Sequence, residues 1–273
     1  MDLFRANPSS TPRLSPRLEP SHFVLDLCVA PLRYLAGADS QQGLRPNNED
    51  QFLIDPTVSF FAVADGMGGH ESGEKASLLA IQTLHQTVLK VVPGPPSGQG
   101  ILAQGLVDTN RAILDEGGGG YHKMGTTIVL LARIDNKWWI ANLGDSEAWL
   151  FRKRKVQVLS QTHSMAAEMV RQKAMTAKEA AVSPLKHRLV RYLGSPDLTS
   201  PQQLYSDVRE FKPVAGDVIL LGSDGLMEYI RPNQVVDRLS IGVDPQTVAR
   251  DLTQLAIKQG SPDNTTGLVI RFF

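Results

Sequence analysis

The stretch TTIVLLARIDNKWWIANLGDSEAWLFRKRKVQVL, residues 126–159, decides the fold. Four apolar runs, 126–134, 137–143, 147–151 and 156–159, are separated only by Asp135-Asn136, by Gly144-Asp145-Ser146 and by the basic turn Arg152-Lys153-Arg154-Lys155. Connections this short join antiparallel neighbours, because a parallel crossover needs a dozen or more residues. Further strands are expected at 51–54, 58–64, 204–211, 217–222 and 267–273. Helices are expected over 73–91, where Ala76, Ala80, Leu84 and Val88 recur at helical spacing, and over 100–115, through Leu102, Leu106 and Ile113. A Met- and Ala-rich region at 164–181 and the segment 245–258, with Val248, Leu252, Leu255 and Ala256 on one side, complete the helical set. The helices come as a pair and then singly instead of alternating with strands. That order predicts an α+β sandwich and not a doubly wound parallel sheet.

The 273 residues suffice for a sizeable core, and a composition of 42% hydrophobic and 21% charged residues is that of a soluble globular protein. A formal net charge of zero speaks against a polyanion or an acidic membrane surface as partner. The one cysteine, Cys28, excludes a disulfide framework and a Cys-rich zinc site, and a reducing, cytoplasmic setting is expected. No apolar run approaches the ~20 residues of a membrane helix. The first 21 residues are rich in Pro, Ser and Arg, and the expected organisation is a flexible arm over 1–31 followed by one domain over 32–273.

Acidic residues recur where apolar runs end. FAVADGMGGH (61–70) places Asp65 after a strand and before a cluster of glycines. WWIANLGD ends in Asp145, DVILLGSDG carries Asp224, and SPDNTTGLVIRFF sets Asp263 before the last strand. Glu49-Asp50 closes GLRPNNED and leads into the strand QFLI. In an antiparallel sheet the end of one strand lies beside the start of its neighbour, so these acids can share one edge of the sandwich. Crowded carboxylates repel, and a divalent cation relieves that repulsion. Carboxylate and backbone carbonyl oxygens form a hard donor set suited to Mg²⁺ or Mn²⁺. Rival motifs fail on spacing: Glu74 stands where a phosphate-binding P-loop needs lysine, and the basic run 152–155 reads as a solvated hairpin tip.

In order, GLRPNNED, FAVADGMGGH, MGTT (124–127), LGDS (143–146), LGSDGL (221–226) and PDNTT (262–266) resemble the landmarks of the metal-dependent protein serine/threonine phosphatases, type 2C, bacterial branch. The resemblance covers residues 32–273 and implies a four-layer α/β/β/α sandwich of two antiparallel sheets flanked by helices. It implies two Mg²⁺ or Mn²⁺ ions, with Asp65 bridging them and the Gly66 carbonyl supporting one. Asp224 and Asp263 would complete one shell, while Asp50 and Glu49 would serve the other through waters. Asp145 with Asp224 resembles the ligands of a third, weaker ion. Arg45, four residues before Glu49, has the planar fork to grip a phosphate, and His70 is the candidate to protonate the leaving oxygen. The implied substrates are phosphoserine and phosphothreonine on proteins, with a cognate kinase as counterpart and a monomeric enzyme. Two positions depart from the family: Glu147 follows Gly-Asp-Ser where arginine is usual, and Thr162 precedes His163 where aspartate is usual. They leave room for an alternative, a catalytically weak phosphoprotein-binding scaffold. A nucleic-acid phosphodiesterase would need a basic cleft that the neutral composition does not supply.

Overall fold

The computed structural model describes residues 27–29, 32–69, 71–91, 94, 96–119, 124–239 and 244–273. Among the described residues twelve strands form two antiparallel sheets. One contains β1 (Leu27–Val29), β2 (Leu32–Gln41), β12 (Thr265–Phe272), β11 (Val218–Gly222), β8 (Glu147–Arg152) and β9 (Lys155–Val158), in that spatial order. The other runs β10 (Val208–Phe211), β7 (Lys137–Leu143), β6 (Ile128–Ile134), β4 (Phe60–Met67) and β3 (Asp50–Asp55), with the short β5 (Gly125–Thr126) pairing the last two residues of β4. Two of the three hairpins expected from 126–159 are present, and the third is corrected: β7 and β8 lie in different sheets, so Gly144-Asp145-Ser146 carries the chain from one sheet to the other. Asp135 and Asn136 (φ 51° and 61°) and Lys153 and Arg154 (φ 50° and 60°) make two-residue turns whose left-handed backbone matches strand twist.

Three apolar layers hold the sheets. Along β4, Phe61 and Val63 face the other sheet, where they meet Tyr34, Leu150, Ile219 and Ile270. Phe60, Ala62 and Ala64 face the opposite way, onto α1 (Glu71–Leu89) and α2 (Gly98–Glu116), through Ala76, Ala80, Leu84, Leu102 and Leu106. A strand buried on both faces reads as a continuous apolar run, which is why 60–64 lacks alternation. On the far side, Leu220 and Val269 pack beneath α5 (Asp224–Met227), α6 (Pro232–Leu239) and α7 (Pro245–Lys258), through Leu226, Val235, Val248 and Leu252. Complete burial of each such side chain contributes about 1.5–3 kcal/mol. The layers are therefore helix, sheet, sheet, helix, as the resemblance implied. Among the described residues no helix is long and apolar enough to cross a membrane.

Several local expectations are corrected. Within the segment expected as the arm, Leu27–Val29 pairs with Leu32–Tyr34; residues 1–26 lie outside the described residues. β2 escaped notice because Gly37 interrupts its apolar pattern. A Cβ there would sit 2.3 Å from the Gln246 nitrogen, so the bare backbone is what lets α7 dock. The region 164–181 divides into α3 (Met165–Arg171) and α4 (Ala177–Val182), each opened by a side-chain cap, Ser164 and Thr176. The strand expected from 204 starts at Val208, since Pro201–Leu204 forms a 3₁₀ turn.

Candidate active site

The acids gather at one end of the sandwich. Asp50 on β3 pairs in register with Asp65 on β4, which continues two residues past the acid. The Asp65 backbone is fixed from both sides: its N–H donates to Thr127 Oγ1 (3.0 Å), and its carbonyl accepts from the Thr127 N–H (2.9 Å) and Thr126 Oγ1 (2.8 Å). Thr127 Oγ1 also bonds Ser146 Oγ at 2.7 Å, which ties the strand to the turn bearing Asp145. Asp224 opens α5 directly after β11. The preceding Ser223 donates to Asp50 Oδ2 at 2.7 Å. Asp263 is oriented by the following backbone N–H, from Asn264 at 2.8 Å. The Asn264 side chain instead holds the 42–49 loop, accepting from the Glu49 N–H (2.9 Å) and donating to the carbonyls of Gln42 (2.8 Å) and Asn47 (2.9 Å). Two glycines are sterically required. A Cβ on Gly66 would lie 2.1 Å from the Gly73 carbonyl oxygen, and one on Gly225 would lie 2.0 Å from that of Asn264.

A cleft of about 630 Å³ opens over this end. Arg45, Glu49, Asp65, Gly66, Asp145, Asp224 and Asp263 line it, while Asp50 lies buried beneath. Burial drives the carboxyl pKa values upward, and the acids raise one another: Asp50 reaches about 7, Asp145 about 8, and Asp65 stands well above the ordinary range. Asp224 goes the other way. Burial opposes its ionisation, but contacts from His187 and Asp65 outweigh that and hold it low. Oδ1 of Asp50 and Oδ1 of Asp224 are buried and accept no hydrogen bond among the described residues. Two orphaned carboxyl oxygens amid acids that cannot all ionise form a site short of positive charge, which is the environment that divalent cations complete. Arg45 Nη2 meets Asp263 Oδ2 at 2.6 Å, a partly exposed pair at the cleft rim. His70 lies outside the described residues.

Residues 40–256 match the family model for protein phosphatase 2C. The chain belongs to that family. This phosphatase is 29% identical over 227 residues to protein phosphatase PhpP of Streptococcus pneumoniae, covering 81% of the chain and 90% of the relative. Among solved structures it resembles the PPM Ser-Thr phosphatase MsPP of Mycobacterium smegmatis, solved with cacodylate. The TM-score there is 0.73 at 31% identity, covering 86% of this chain and 97% of that one. It also resembles the catalytic domain of the phosphatase PstP in complex with two manganese ions, with a TM-score of 0.69 at 26% identity, covering 88% and 99%. The protein is thus a serine/threonine phosphoprotein phosphatase.

Sequence reasoning missed the phosphatase's second wall. His187, Arg188 and Leu189 line the cleft from the segment 164–190, here called the flap, and Glu228 lines it from the end of α5. His187 Nδ1 stands 3.9 Å from Asp224 Oδ2 and 3.9 Å from Glu228 Oε1, an electrostatic approach too long for a hydrogen bond. Glu228 follows Asp224 by four residues, one helical turn, and that spacing was a usable signal. His187 carried none. Neither departure lines the cleft: Glu147 Oε2 accepts the Trp149 indole N–H at 2.6 Å, and at Thr162 the backbone carbonyl accepts from Arg171 on α3 at 3.0 Å.

Proposed function

We propose that Asp65, the Gly66 carbonyl, Asp224 and Asp263, with Glu49 and Asp50 acting through water, hold two divalent cations, and that Asp145 with Asp224 holds a third. The observation that carries this reading is the pair of buried, unpartnered oxygens on Asp50 and Asp224 beside the raised carboxyl of Asp65. When bound, such cations lower the pKa of a water toward neutrality and draw charge from phosphoryl oxygens. Oxygen donors alone accept Mg²⁺ and Mn²⁺ alike. The chain's own part is positioning. Thr126, Thr127 and Ser223 fix Asp65 and Asp50 without using up the free oxygens. Arg45 at the rim can leave Asp263 for the phosphate, where its two N–H groups set the angle of approach. His70 is proposed to protonate the departing serine or threonine oxygen. The substrates are proteins phosphorylated by a cognate serine/threonine kinase, and the enzyme acts as a cytoplasmic monomer. The scaffold alternative loses part of its support, since the Glu147 carboxylate is engaged with Trp149.

The test is turnover of a phosphothreonine peptide with Mn²⁺, with EDTA, and in Asp65→Asn. Turnover is expected only for the unaltered chain with cation, with a loss of about 10³-fold or more in the variant. Undiminished turnover by Asp65→Asn, or in EDTA, would refute the reading.

A further inference from the structure

One buried ionisable group has no part in the chemistry above. His163 and the carboxylate of Asp207 are each 1% exposed, and His163 Nε2 lies 3.2 Å from Asp207 Oδ1, off the line of a hydrogen bond. Nδ1 of the ring accepts the Gly144 N–H at 3.2 Å, which assigns the neutral ring's proton to Nε2, facing Asp207. Asp207 is balanced from its other side by Arg191, which donates to both carboxylate oxygens at 3.0 and 2.6 Å.

The backbone of His163 closes a second set of links. Its N–H donates to the Gly144 carbonyl (2.9 Å), and its own carbonyl accepts from the Val190 N–H (2.9 Å). Ser164 bridges Leu189, and the Met165 N–H donates to the Arg188 carbonyl at 2.7 Å. Residues 163–165 and 188–190 therefore form the stem of the flap that carries His187 to the cleft. The inner end of that stem grips both polar groups of Gly144. Gly144 sits at φ 105° with Thr127 Cγ2 2.6 Å from where a Cβ would be, so this turn has little freedom, and the next residue is Asp145.

We propose that His163 is a positioning residue that locks the flap stem to the Asp145 turn, so that flap order and cation binding on Asp145 and Asp224 are coupled. The coupling rests on Asp145 being a cation ligand; the lock does not. Amide hydrogen exchange and Mn²⁺ calorimetry on the full chain test both, for the unaltered protein, His163→Ala, His163→Asn and Asp145→Asn. Loss of the buried hydrogen bond in His163→Ala should speed exchange over 164–190 by about 10-fold, without changing α2 or α7. The weakest Mn²⁺ step should weaken by about as much. His163→Asn, whose Oδ1 can accept the Gly144 N–H, should recover most of both. Unchanged flap exchange overturns the lock, and so does exchange that rises equally in α2, α7 and flap. Loss of the weak Mn²⁺ step in Asp145→Asn but not in His163→Ala overturns the coupling. An unchanged isotherm in Asp145→Asn overturns the cation reading of Asp145 and leaves exchange to decide the lock. Should His163→Ala not fold, Asp207→Asn takes its place, with the same flap-specific increase expected and the same uniform increase or absence of change overturning the lock.

Discussion

In metal-free protein, Asp50→Asn should stabilise the fold, and the gain should grow with pH. Asp50 is fully buried, and burial, with further repulsion from Asp224 and Asp263, lifts its carboxyl from 3.8 to about 7. The folded state therefore binds a proton that the unfolded chain releases. Stability falls as pH rises through the interval from about 4 to about 7, and levels off above it. At 1.36 kcal/mol per pKa unit, that interval corresponds to about 4 kcal/mol at pH 8 and under 1 kcal/mol at pH 4. Asparagine keeps an oxygen for the Ser223 hydroxyl and carries no charge, so it removes most of this cost. At about 2–4 °C per kcal/mol, the variant's Tm in EDTA should exceed that of the unaltered chain by about 10 °C at pH 8 and by only a few degrees at pH 4. In saturating Mn²⁺ the sign should reverse, because cation binding is lost. Thermal unfolding at four or five pH values, with EDTA and with Mn²⁺, reads all of this. A gain independent of pH, or no gain at pH 8, would refute the assignment of charge repulsion to this buried acid.

Other substitutions probe separate layers. Arg45→Lys keeps a charge near Asp263 but loses the fork, so KM for a phosphothreonine peptide should rise about 10-fold with a smaller change in kcat; an equal KM would remove Arg45 from phosphate binding. Gly225→Ala places a methyl 2.0 Å from the Asn264 carbonyl oxygen, so Mn²⁺ affinity measured by calorimetry should drop together with Tm. Leu84→Ala, deep between α1 and the sheet, should cost about 2–5 kcal/mol in urea unfolding while Mn²⁺ affinity stays unchanged.

What could be read from the chain, and what could not, divides by the range of the interactions. Asp65, Asp145, Asp224 and Asp263 stood out because each terminates or precedes an apolar run, and strand ends of an antiparallel sandwich converge whatever the details of packing. The hairpins were equally plain, since two-residue turns fix pairing locally. β2 was obscured because Gly37 answers to a helix some 200 positions away, through the Gln246 side chain that bonds Ala38. The flap was obscured for the same reason. His187 looks like any polar residue in a 3₁₀ turn until the stem at 163–165 and 188–190 carries it to Asp224.

That contrast bears on how the site is built. The acids sit at or beside strand ends, and their geometry is a property of the sheets. The flap wall is held by a few polar contacts around His163, Asp207 and Arg191, joined to the acids through the Gly144 turn. Apolar packing dominates the first arrangement and hydrogen bonds the second. A lost hydrogen bond costs on the order of 1 kcal/mol against several for a deleted core side chain. Substitutions in the stem should therefore alter how the cleft is covered well before they threaten the sandwich that positions Asp65.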